Sequence, residues 1–140
     1  MGSDRRTSNN TGTEVSPDII KKIIQGSDIK LLVGQAEKLG RELANEGLTT
    51  SQIRVFFSQV KQIDITANKD ELDEKDQRKL ILLKPKLAYQ AKRHGRGVAK
   101  LEKILSQAID LIDNNKGYFR NFVDFFEAIL AYHKAQGGRD

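Results

Sequence analysis

Apolar residues recur along this chain at three- and four-residue steps, the spacing of a helix face, and nowhere hold the alternation of a strand. The first such stretch begins at Ser16-Pro17-Asp18. There a capping hydroxyl, a proline suited to the first helical turn and an acid near the positive helix end coincide. Ile19, Ile20, Ile23 and Ile24 form its face, and Gly26 stops it. Ser27-Asp28 caps a second helix with Leu31, Leu32, Gln35, Leu39 and Leu43 in its stripe, ending near Gly47. Thr49 and Gln52 have the spacing of a capping box, in which each side chain satisfies the other's free amide. The helix behind them places Ile53, Phe56, Phe57, Val60 and Ile63 on one face and Arg54, Ser58 and Lys61 on another.

A loop over residues 66–70 leads into one long helix, predicted from Asp70 to about His94. Acids crowd its start and bases its end, as the helix dipole prefers. Leu80, Leu83, Leu87 and Ala91 form the buried stripe and Gly95 the stop, while Pro85 removes one hydrogen bond and predicts a kink. A fifth helix is predicted from about Val98 to Asp113, on Leu101, Ile104, Leu105, Ala108, Ile109 and Ile112. After a turn at Asn114-Asn115-Lys116-Gly117, a last helix runs from about Tyr118 to Gln136 on Phe119, Phe122, Val123, Phe126, Ile129 and Leu130. The expected fold is all-α: a compact bundle of five to six helices with one long, proline-kinked helix. Residues 1–16 are polar and read as a disordered lead, 17–136 as a single helical domain, and 137–140 as a flexible C-terminus.

Composition narrows the chemistry. The 140 residues are 38% hydrophobic and 31% charged, enough for one buried core under a heavily charged surface. With no cysteine there is no disulfide, no thiol nucleophile and no thiolate metal site. The two histidines, His94 and His133, are too few for a clustered metal site, and His133 falls on the apolar stripe of the last helix. The stretch from Asp113 to Gly117 departs from a calcium loop in its glycine position and has Asp124 where the closing glutamate belongs. Gly95-Arg96-Gly97 lacks the third glycine and the preceding strand of a dinucleotide fingerprint. No catalytic residue, metal or cofactor is expected, and the apolar runs are too short to span a bilayer.

Charge is more informative. Lys84 to Lys103 holds seven bases and one acid, a sum of +6 within a net charge of +5, so the other residues sum to −1. On a helical projection Lys75, Lys79, Leu82, Lys86, Tyr89, Gln90 and Arg93 fall within about 60° of one line. Cations neutralise phosphates, glutamine donates hydrogen bonds and tyrosine stacks or donates, so this row suits a nucleic-acid backbone. Arg96 and Gly97 are expected to carry the charge into a flexible loop. On the residues alone, a solvated helix end remains an equal reading, as does a helical adaptor whose basic face meets an acidic protein. Tyr118, Phe125 and Tyr132 recur at seven-residue steps beside the main stripe of the last helix. They fit either a wide buried face or a docking surface for a partner or second copy.

Three blocks then resemble a known family: GLTTSQIRVFFSQV (47–60), LLKPKLAYQAKR (82–93) and NFVDFFEAILAYHK (121–134). In this order they are similar to the small subunit of type III-A CRISPR interference complexes, the Csm small subunit. The resemblance implies a non-catalytic helical protein of the prokaryotic cytoplasm, acting in antiviral defence. Its copies would stack along a ribonucleoprotein filament with the other effector subunits and touch guide-RNA and target-RNA backbone without reading sequence. By position it points to Arg54, Lys61, Lys86 and Arg93 as RNA contacts. Tyr89 and Gln90 come from the helical row, and Lys92 and Arg96 from charge alone.

Overall fold

The computed structural model of the chain describes residues 15–66 and 70–140, with the backbone alone for 65 and 66. Most of the lead expected over 1–16, and residues 67–69 of the predicted loop, therefore lie outside the described residues. Among the described residues there are six helices and no strand: α1 Pro17–Ile24, α2 Ile29–Asn45, α3 Thr50–Thr66, α4 Glu74–His94, α5 Arg96–Asp110 and α6 Lys116–Ala135.

The helix starts follow the chemistry of their caps. Ser16 accepts a hydrogen bond from the Ile19 amide, Asp28 from Leu31, Asp73 from Asp76 and Asn115 from Tyr118. The capping box ahead of α3 is formed in both directions: the Thr49 amide donates to Gln52 Oε1 at 2.8 Å and the Gln52 amide to Thr49 Oγ1 at 3.2 Å.

Several boundaries differ from the sequence pattern by two to four residues, and two of them have a visible cause. The long helix starts at Glu74 rather than Asp70, because the amide of Leu72 donates to the Asn114 carbonyl and residues 70–72 run beside the α5–α6 turn. α5 starts at Arg96 rather than Val98, with Gly95 at φ 90° ending one helix and opening the next. The helix α4 continues unbroken through Pro85.

Neighbouring helices close into a ring, α2–α5–α4–α3–α6 and back to α2, and α1 touches α2, α5 and α6. The ring's interior holds the apolar stripes, with Phe119, Phe122, Phe125 and Phe126 of α6 wholly buried. Gly40 lets α2 and α6 approach closely, since a Cβ there would stand 2.7 Å from both the His133 nitrogen and Tyr132 Cβ. His133 is itself buried. Its Nε2–H donates to the Leu48 carbonyl, a group that only accepts, while Nδ1 has no partner.

Of the three residues expected at a docking surface, Tyr118, Phe125 and Tyr132, the arrangement takes Phe125 into the core. Phe125 has no exposed surface, and Tyr118 and Tyr132 are half-buried against the same core. Because α6 touches α1, α2 and α3, its buried arc is wide enough to take in the second stripe. Residues 137–140, expected to be flexible, fold back over the start of α3. The Thr50 amide donates to the Arg139 carbonyl at 2.7 Å, Gly138 lies against the His133 ring, and Lys134 pairs with Asp140.

Candidate nucleic-acid interface

The basic segment is less uniform than its charge sum suggests. Lys84 points to α5, where its ammonium lies 2.6 Å from Asp110. Lys100 bridges Glu42 of α2 and Glu46, which caps its C-terminus, at 3.6 and 3.5 Å. Both therefore hold helices together, and their charge is met within the chain. Lys86, Lys92, Arg93 and Arg96 are exposed and have no acidic partner among the described residues.

Lys86, Tyr89 and Gln90 line a cleft between α3 and α4, and Arg93 reaches it through the Tyr89 ring. The cleft's larger and more open part, about 370 Å³, is lined by Val55, Phe56 and Gln59 of α3 and by Pro85, Lys86, Tyr89 and Gln90 of α4. The cleft extends toward His94 and Val98 past Ser51 and Gln52. Lys86 Nζ donates to Gln59 Oε1 at 3.2 Å across the cleft, and the Arg93 guanidinium lies 5.9 Å above the Tyr89 ring. The Tyr89 ring is 60% exposed and Val55, facing it from α3, is 55% exposed.

The other predicted contacts lie elsewhere. Lys92 stands about 100° round α4 from Arg93. Arg96 is exposed in the first turn of α5. The flexible loop expected at Arg96-Gly97 is replaced by helix. Gly97 is buried, and a Cβ on it would stand 2.9 Å from Leu48 Cβ, so its missing side chain serves packing. Arg54 is exposed on α3 about 100° round from Val55, near the folded-back C-terminal residues. Lys61 pairs with Asp64 at 3.6 Å. Asp64 also meets Lys116 at 3.8 Å and Arg120 at 4.0 Å, so Lys61 belongs to a mixed-charge seam between α3 and α6. In that seam burial holds the Asp124 carboxyl above its ordinary pKa, against the pull of Arg120 and with the push of Glu127 and Asp64.

Sequence reasoning missed Gln59 and Val55, which form the α3 wall of the cleft. The available signal was Val55 itself, an apolar residue off the buried stripe of its helix. Among the described residues, no group of three or more His, Asp or Glu side chains is placed to hold a metal ion, and no helix is long and apolar enough to cross a membrane.

A small helical domain with a basic cleft fits many roles, and comparison with protein families decides among them. The family model described as Csm2 Type III-A matches residues 26–139, most of the described chain. The chain belongs to the Csm2 type III-A family. Neither a search of curated proteins nor one of solved structures returns a match. Csm2 is a family of small structural subunits of the type III-A CRISPR complex, and an all-helical chain accords with it. The match takes in α2 to α6 and hence every wall of the α3–α4 cleft.

Proposed function

We propose that this protein is a non-catalytic, RNA-binding structural subunit of a type III-A CRISPR effector ribonucleoprotein, working in the prokaryotic cytoplasm in antiviral defence. It contacts guide- and target-RNA backbone without sequence preference, beside the other effector subunits and further copies of itself. One observation carries the reading. Within the basic segment, once Lys84 and Lys100 are met by acids of the chain, Lys86, Lys92, Arg93 and Arg96 stand exposed and without an acidic partner among the described residues, along the second half of α4 and the start of α5. Cations without acidic partners are free to replace the counterions of a phosphate chain. Base pairing with the guide supplies specificity, so the protein needs only charge and shape. Each contact is weak, and stacked copies along one strand multiply it.

The test is the salt dependence of single-stranded RNA binding by the full chain and by Lys86→Glu/Arg93→Glu. Losing two phosphate contacts should lower the slope of log K against log salt by about 1.4, with helicity by circular dichroism unchanged. An unaltered slope would remove this face from the interface.

The second reading, an adaptor for an acidic protein, draws on the exposed apolar Ile81 and Leu82 of the same helix. An acidic peptide that binds the chain more tightly than RNA would favour it.

A further inference from the structure

A surface that only neutralises phosphate needs cations at its rim. The α3–α4 cleft has more than that. Val55 and Tyr89 expose apolar surface on its two walls, and Pro85 lies beside them. The Tyr89 ring carries the Arg93 guanidinium on its face, giving a flat aromatic platform with a cation attached. Two amides differ in their availability. Gln59 is committed: its oxygen accepts from Lys86 and its nitrogen donates to the Val55 carbonyl at 3.3 Å. Gln90 is half-buried at the junction of the cleft's two parts and makes no hydrogen bond among the described residues. It is therefore a free donor and acceptor held inside an apolar-walled cleft.

A flat apolar face, a polar edge and an attached negative charge describe a nucleotide whose base is not stacked in a duplex. We propose that the α3–α4 cleft receives one unpaired nucleobase, stacked on Tyr89 and Arg93, with its edge on the Gln90 amide and its phosphate near Lys86. Extending the RNA-binding reading above, it adds base stacking to what would otherwise be a backbone contact. Every base has such a face and edge, so the site tolerates sequence. A fully paired duplex does not present them, so the site separates unpaired from paired nucleotides.

The experiment uses the full chain with a single-stranded uridine dodecamer and the same strand with abasic riboses. The intact strand should bind roughly fivefold or more tightly than the abasic one. Tyr89→Ala should erase that difference and Tyr89→Phe should keep it. The ring is exposed, so these variants leave the core untouched. Lys86→Glu should weaken both strands alike. Equal binding of intact and abasic strands, with Lys86→Glu still weakening both, overturns the nucleobase site and leaves the backbone reading standing. Equal binding of single strand and duplex overturns it too. Failure to bind any strand in a salt-dependent way overturns the RNA reading itself, and displacement of bound RNA from the cleft by an acidic peptide assigns the cleft to a protein.

Discussion

A Cβ added to Gly40 would stand 2.7 Å from the backbone nitrogen of His133, closer than real side chains approach backbone. The only way to accommodate it is to part α2 from α6. Gly34, six residues earlier on α2, has nothing within 4 Å of its Cβ position. The same substitution should therefore have opposite signs on one helix. Gly40→Ala should lose about 1–3 kcal/mol by overpacking. Gly34→Ala should gain about 0.5–1 kcal/mol from reduced unfolded-state freedom. Urea denaturation of the two variants checks both.

Lys84 and Lys86 flank Pro85 and carry the same charge, but they face different neighbours. Lys84 Nζ meets Asp110, and Lys86 Nζ meets the neutral Gln59 amide in the cleft. Lys86→Gln should weaken RNA binding and Lys84→Gln should leave it nearly unchanged. In thermal melts the Lys84 variant should lose no more than about 1 kcal/mol, since the ion pair is partly exposed.

Phe125 is wholly buried, so its removal should act on folding. Phe125→Ala should lose about 3–5 kcal/mol, read by denaturant midpoint. Self-association of the fraction that remains folded should match that of the wild type. Weakened association of a fully folded variant would return Phe125 to the docking surface.

Asp124 and Asp140 should respond to acid with opposite signs. Burial raises the folded pKa of Asp124 above 3.8, so folding takes up a proton there. Its contribution to stability falls as pH rises through the window just above 3.8 and stays low at neutral pH. Asp124→Asn should therefore raise the melting temperature slightly at pH 7 and lose that part of the acid-side slope. The hydrogen bond and charge of Lys134 lower the pKa of Asp140 below 3.8. Its stabilisation is present above 3.8 and is lost as pH falls through the folded value, so Asp140→Asn should flatten the melting curve at the acid end.

A methyl group on Gly138 would overlap the His133 imidazole. Gly138→Ala should lift residues 137–140 from the bundle and free the Thr50 amide from Arg139. Hydrogen exchange at Thr50 should rise to that of an uncapped helix end, while amides in the middle of α3 keep their protection.

What the sequence made legible was whatever local spacing determines. The capping box at Thr49 and Gln52, the apolar stripes and the row on α4 are all written in steps of three or four residues, about one helical turn each. What escaped it depends on partners distant in the chain. Lys84 and Asp110 are 26 positions apart and His133 and Leu48 85 apart, so no local pattern predicts that these groups meet. The second aromatic stripe of α6 was ambiguous for the same reason: periodicity shows that Phe125 lies beside the main stripe, but not that three other helices cover that arc. Charge summed along the chain likewise treated Lys84 and Lys100 as equals of Lys86, and their separation depends on the acids that the fold brings to them.

Gly95, the one residue between α4 and α5, has a consequence for the order in which the molecule assembles. A hairpin closed by a single residue loses little chain entropy on forming, and its pairing is available from contacts of short sequence separation. The α2–α6 pair must instead close a loop spanning most of the chain before any of its contacts form. The half of the molecule carrying Lys86, Tyr89 and Arg93 is thus the half able to condense first. The cleft is complete only when α3, fastened by its N-terminal cap and the last residues of the chain, arrives to supply Val55 and Gln59.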